Sequence, residues 1–215
     1  MKSILDLVET YLLVLVHPFR IHQQFRYSLP VPGIEIPHEP LTLPEALGVS
    51  WIFAILRGLF KIVLLNFFLQ SFINMQSEKF PILQDLFLSS GSSTYYFFLF
   101  SAALDVIFFP IGAIVMTQIW SWVIKKYAFW LNPDLPREQI ADQITTHALS
   151  SNLFCIIPII GDVLQTLLYY FLLYAGIRSN LGASRSLAWV ILLTPTIFAL
   201  MLMTLFSFVI FYLIG

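Results

Sequence analysis

Residues 149–177 read LSSNLFCIIPIIGDVLQTLLYYFLLYAGI, and whether they form one helix or two decides the topology of the whole chain. As one helix these 29 residues would run about 43 Å at about 1.5 Å per residue, more than a bilayer core of about 30 Å requires. Pro158 and Gly161 offer a break, because proline removes a helical N–H and glycine permits left-handed backbone. The reading adopted is a tight helical hairpin. Its arms are 138–157 and 162–177, and its tip, Pro158-Ile159-Ile160-Gly161, reaches the far face of the membrane.

Outward from the hairpin lie three longer apolar stretches, 46–71, 95–123 and 187–213, each able to cross with some tilt. Together they predict an all-α integral membrane protein with five transmembrane helices, the third and fourth forming the hairpin. Basic residues set the orientation. Lys2, Arg20 and Arg26 precede the first span, Lys79 lies in the first connection, Lys125, Lys126 and Arg137 in the second, and Arg178 and Arg185 in the fourth. A cytoplasmic N-terminus puts eight basic residues inside and one outside, so the positive-inside rule selects N-in, C-out. Merging the hairpin into one helix would leave six against three.

Composition agrees. Of 215 residues, 59% are hydrophobic and 11% charged, against about 25% charged in a soluble domain, so lipid must solvate much of the surface. A net charge of −1 argues against nucleic-acid binding, which needs clustered Lys and Arg. The single Cys155 permits no internal disulfide and no cysteine metal site, and no cofactor is expected.

The chain divides into an amphipathic interfacial segment (1–28), a proline-rich linker (29–45) and a membrane domain (46–215). Ile4, Leu5, Leu7, Val8, Tyr11, Leu12, Leu15 and Val16 follow helical spacing. Such a helix is too short to span and suits the interface or the side of the bundle equally. Asp6 and Glu9 interrupt it and no small-residue cleavage site follows, so it is expected to be retained rather than removed as a signal peptide. The linker holds Pro30, Pro32, Pro37, Pro40 and Pro44 and is expected to be non-helical. The connection 73–94 contains Ser89-Ser90-Gly91-Ser92-Ser93, the composition of a flexible linker, beside a short helix dipping into the outer interface. Tyr95, Tyr96 and Tyr212 are expected at one interface, and Trp120, Trp122, Tyr127, Trp130 and Trp189 at the other.

Ionisable residues within spans are costly and usually face protein or water. Arg57 and Lys61 lie four apart on one face of the first span. Counting residues from the span ends puts Arg57 and Asp105 at nearly equal depth, which makes them one candidate pair. Lys61 and Asp162 form another, although Asp162 after Gly161 is better placed to cap its own helix. Asp142 and His147 could form a proton relay at the inner end of the third span, but five residues apart they share a face poorly. Enzyme signatures such as His-Glu-x-x-His, Gly-x-Ser-x-Gly or a phosphate-cradling glycine loop are absent from the sequence. Ser150 and Ser151 near His147 lack an orienting acid, and no catalysis is expected.

The layout resembles the Yip (Ypt/Rab-interacting protein) family of polytopic membrane proteins. The residues that carry the resemblance are His17-Pro18-Phe19, ALSSNLF at 148–154, Ile157-Pro158-Ile159-Ile160-Gly161, Tyr174-Ala175-Gly176-Ile177-Arg178 and SRSLA at 184–188. Eukaryotic relatives carry an Asp-Leu-Tyr-Gly-Pro element before the first span, where this chain has Leu41-Thr42-Leu43-Pro44-Glu45. The likeness is therefore to a compact bacterial-type member of the inner membrane. It implies the five-span fold and little chemistry, with no Rab-type partner carried over.

Two functions are in view. One is a non-enzymatic scaffold that organises the bilayer, a second copy or another membrane protein through close helix faces, with Ser101, Ala102, Ala103, Ala175 and Gly176 allowing approach. The other is a small transporter or channel using Arg57, Lys61 and Asp105. A weaker third is membrane shaping by the N-terminal helix.

Overall fold

The computed structural model describes residues 4–27, 40–76 and 81–214. Among them the chain forms helices α1 (Ile4–Val16), α2 (Pro18–Tyr27), α3 (Leu43–Gln76), α4 (Pro81–Leu131), α5 (Arg137–Ala148), a 3-10 segment (Leu149–Ile156), α6 (Gly161–Ser179) and α7 (Arg185–Ile214), with no strand. Three stretches are long and apolar enough to cross a membrane: Leu43–Leu64 of α3, Leu99–Leu131 of α4 and Arg185–Tyr212 of α7. They fit an integral membrane protein.

Five spans are not supported. The third expected span divides into the 12-residue α5 and an 8-residue 3-10 segment, and the 19 residues of α6 include Asp162, Gln165 and Arg178. The physical reason is that these arms pack on protein. α5 buries Gln143, Thr145, Thr146 and His147 against the bundle, a sequence that hydrocarbon would not solvate.

The break at the hairpin tip is where the sequence placed it, but the left-handed backbone expected of Gly161 falls on another residue. The left-handed residue is Ile159, at φ 69°, a conformation strained for a β-branched side chain. Gly161 is needed for space, since a Cβ there would stand 2.5 Å from the Phe154 carbonyl oxygen. Ile157 is extended, at φ −74° and ψ 116°, as the residue before a proline must be.

Two other expectations fail at helix starts. Pro44 lies inside the first turn of α3, where a missing N–H costs nothing. Glu45 reaches back to the residue before the helix, with the Thr42 amide donating to Glu45 Oε2 at 2.9 Å, while the Ala46 amide donates to the Thr42 carbonyl at 3.0 Å as the first helical bond. Linker residues 29–39 lie outside the described residues. In the 73–94 connection, Ser89-Ser90-Gly91-Ser92-Ser93 is helical within the 51-residue α4. Serine and glycine each cost about 0.5–1 kcal/mol relative to alanine, and helix on both sides outweighs that.

The core gathers at one end of the bundle. Tyr11 and Val14 of α1, Ile21 of α2, Trp120 and Ile124 of α4, Ile144 of α5, Leu172, Leu173 and Ile177 of α6, and Ile191 of α7 are all buried there. Trp120 is therefore a core residue rather than part of an interfacial belt, whereas Trp122, Trp130, Trp189, Tyr96 and Tyr212 are exposed. α1 resolves the choice left open for it: one side packs on the bundle through Tyr11 and Val14, while Leu5, Leu12 and Val16 face outward. Two glycines permit the closest contacts. A Cβ on Gly58 would meet Val106 Cγ2 at 2.8 Å where α3 crosses α4, and one on Gly176 would meet Ile144 Cγ2 at 2.7 Å.

Candidate functional site

The four span-depth charges come together, with their partners exchanged relative to the depth count. Arg57 donates to Asp162 at 2.7 Å, joining α3 to α6, and Lys61 donates to Asp105 at 3.0 Å, joining α3 to α4. Asp162 is not the cap of α6. The N-cap position is Ile160, with no side-chain cap bond, and the Asp162 carboxylate is taken by Arg57 instead. Counting along a helix gives depth but not rotation, and Arg57 and Lys61 are one turn apart, so depth alone could not tell which neighbour each would face.

Three of these four side chains are open at the surface of the bundle, whereas Arg57 is 26% exposed. The Lys61 and Asp105 side chains are 41% and 55% exposed, and Asp162 is 53% exposed. Beside them Trp51 donates its indole N–H to the Val106 carbonyl at 3.0 Å. Pro110 lies within α4 and, lacking an N–H, leaves that carbonyl without its usual partner four residues on. The α3–α4 crossing thus supplies the missing donor across the helices.

Asp142 and His147 do not form a relay. The Asp142 side chain is 66% exposed, 3.9 Å from the Lys125 ammonium, and accepts from Ser121 Oγ at 3.1 Å. His147 is fully buried, its Nδ1 2.5 Å from the Gln143 carbonyl of its own helix. Its ring packs edge-on against His22 of α2, with centroids 5.4 Å apart. Burial and the neighbouring His147 hold His22 well below the ordinary imidazole range. Gly176 makes room for this contact, since a Cβ there would stand 3.2 Å from His22 Nε2.

A second polar feature escaped the sequence reading altogether. Tyr11 donates to the Ala46 carbonyl and lies 3.0 Å from Ser50 Oγ, and burial pushes its phenol pKa up. Asn152 donates to Ser50 Oγ at 3.0 Å, and Gln165 donates to Asn152 Oδ1 at 2.8 Å. This seam crosses α1, α3, the 3-10 segment and α6. Nearby, Asn180 donates to Gln143 Oε1 at 2.9 Å. Asn152 and Gln165 flank the hairpin tip almost symmetrically, a signal that a hairpin brings them together. His22 carried no comparable signal, because its partner lies far along the chain.

Clefts along the bundle, among the described residues, include two of note. One, of about 350 Å³, runs between the start of α3, α4 and α5 and includes Thr117, Ser121, Asp142 and Gln143. The other, of about 240 Å³, lies between α4 and α7. Neither includes Arg57, Lys61, Asp105 or Asp162. Ser150 and Ser151 are sealed in protein, and among the described residues no group of three or more His, Cys, Asp or Glu is placed to hold a metal ion.

No family model matches the chain, and neither the curated proteins nor the solved structures include a match.

Proposed function

We propose that this chain is a non-enzymatic membrane protein of Yip type that organises partner proteins or copies of itself through its helix faces. One observation carries the reading: the span-depth charges neutralise one another in two pairs, Arg57 with Asp162 and Lys61 with Asp105, three of the four side chains being open at the bundle surface. A transport path would place such groups along a hydrated passage, whereas a surface pair serves helix register and recognition by a neighbouring helix.

In this reading the protein sits in a bacterial inner membrane with its N-terminus in the cytoplasm. The hairpin of α5, the 3-10 segment and α6 enters the bilayer from the cytoplasmic side. The count of eight basic residues inside against one outside is the same whether the hairpin arms are counted as spans or as a re-entrant pair.

Purified protein in proteoliposomes tests the scaffold against the transporter. The expected outcome is no proton or ion flux, with Asp105→Asn indistinguishable from the unaltered protein. Cross-linking in native membranes should capture a second copy or a defined partner through α3 or α4. A flux abolished by Asp105→Asn would overturn the proposal. Cysteine placed at Arg178 or Arg185 should resist labelling from the periplasmic side, and labelling there would overturn the topology.

A further inference from the structure

The cleft between α4 and α7 has a composition that the scaffold reading does not use. It is lined by Trp122, Val123, Lys126, Tyr127, Trp130 and Thr194, with a volume of about 240 Å³. Trp122, Lys126 and Trp130 are spaced i, i+4, i+8, so they stack along one face of α4 with the lysine between two indoles. Tyr127 ties the cleft to the second helix through a 2.9 Å hydrogen bond between its hydroxyl and Thr194 Oγ1. Both indole rings are exposed to the surroundings of the bundle.

Two neighbouring cations are engaged. Lys125 faces Asp142 at 3.9 Å, and the Arg137 guanidinium lies 4.7 Å over the Phe129 ring. Lys126 instead rests 5.8 Å from the Trp122 ring centroid. Among the described residues no carboxylate lies within 4.0 Å of it. Lys126 is five residues inside the end of the α4 span at Leu131, or about 7.5 Å at about 1.5 Å per residue. The 33-residue stretch is longer than the roughly 20 residues a bilayer core needs, which places a position this near its end toward the interface, where tryptophan is favoured.

We infer that this cleft binds an anionic phospholipid, with the phosphate at Lys126 and the upper acyl chain between Trp122 and Trp130. The site offers one cation without a competing acid and otherwise apolar, aromatic walls. A soluble anion would leave those walls uncovered. A choline headgroup would be drawn to the rings but repelled by the ammonium among them. The occupant that satisfies both is an amphiphile with a negative head.

Native mass spectrometry of the full chain in detergent tests this, counting the first lipid bound as phosphatidylglycerol or phosphatidylcholine with identical chains is added. Phosphatidylglycerol should bind about fivefold more tightly, the contribution of about one lysine near a membrane surface. Lys126→Gln should abolish that preference, Lys126→Arg should keep it, and Lys125→Gln should leave it intact. Equal binding of the two lipids, or a preference that survives Lys126→Gln, would overturn the inference. So would equal loss in the Lys125 and Lys126 variants, which would mean a diffuse positive belt. The measurement uses the isolated chain and no partner, so its failure leaves the scaffold reading untouched.

Discussion

The two ends of α7 live in different solvents. Near its start, Ala188, Ile191 and Leu192 are buried against protein, whereas between residues 197 and 212 nearly every large apolar side chain is exposed. α4 shows the same division, with Trp120, Val123, Ile124 and Ala128 buried at one end, and Phe97, Phe100, Ile107 and Phe108 exposed toward the other. Polar groups follow suit. At the packed end Ser50, Asn152 and Gln165 bond across helices. At the bare end Thr204 and Ser207 return their hydroxyls to the carbonyls of Leu200 and Met203 in their own helix, each at 2.8 Å. One end is held by jigsaw packing and shared hydrogen bonds. The other is self-sufficient helix, its apolar side chains bare of protein in the described residues.

That contrast is broken most severely at the glycines. Gly176→Leu at the packed end must displace Ile144, whose Cγ2 would lie 2.7 Å from even the first added carbon. We expect a loss of at least about 3 kcal/mol, read as a collapse of thermal stability in detergent. Gly112→Ala on the exposed face of α4 meets nothing within 4 Å and should raise stability by about 0.5–1 kcal/mol. If both changes were neutral, close packing would not be what distinguishes the ends.

Asn152→Ala is next. It removes one of the partners of the buried Ser50 and the acceptor of the half-buried Gln165 amide, and leaves space where the Asn152 side chain was buried; a polar group left short of a partner costs about 1–3 kcal/mol. A loss of about 2–3 kcal/mol is expected. Thr204→Ala, whose hydroxyl bonds only within its own helix, should cost under about 0.5 kcal/mol.

Acid should weaken the packed end selectively. His22 is held well below its ordinary value of 6.5 by burial and by His147. Below about pH 6.5 the unfolded chain takes a proton at this residue that the folded chain refuses. Stability is therefore fully present above that pH and falls beneath it, by at most about 1.4 kcal/mol per unit. Denaturation series at several pH values should find this fall, with its slope reduced in His22→Leu.

How far these features could be read beforehand depended on what kind of information each needs. The hairpin break was legible because Pro158 and Gly161 punctuate the backbone locally. The four charges Arg57, Lys61, Asp105 and Asp162 were legible because charge within an apolar run is conspicuous. Their partners were not, since helix rotation and the depth of the hairpin tip are set by Gly58, Gly176 and the core around them. The span count failed for a related reason. Residues 138–157 carry Gln139, Asp142, Gln143, His147 and Asn152 among their apolar residues, and only the fold shows that Gln143, Thr146, His147 and Asn152 are buried in protein rather than set against lipid.

The pair between α3 and the hairpin tip lies where the two regimes meet. Asp162→Asn leaves Arg57 charged at bilayer depth, a cost of about 2.5–3.5 kcal/mol at a helix centre before relief by snorkelling. With Asp162 half exposed, a loss of about 1–2 kcal/mol is expected. Joint replacement, Arg57→Leu with Asp162→Leu, should recover most of it, because removing both members of a pair avoids the stranded charge. A double variant as unstable as the single one would give the ion pair a role beyond mutual neutralisation.

The smallest effect is the one most informative about function. Phe206 is exposed at the bare end of α7, and lipid tails are as apolar as leucine. Phe206→Leu should therefore change stability by less than about 0.5 kcal/mol, whereas Ile191→Ala in the same helix should cost about 2–5 kcal/mol. The same substitution can be repeated in native membranes, where partners are present, by following resistance to heat or protease. If Phe206→Leu is silent in detergent but destabilising in the membrane, the bare end is covered by protein there, and the helix face a scaffold needs has been located. If it is silent in both, lipid is the neighbour of α7 in the cell as well, and recognition falls to the α3–α4 face that carries Lys61 and Asp105.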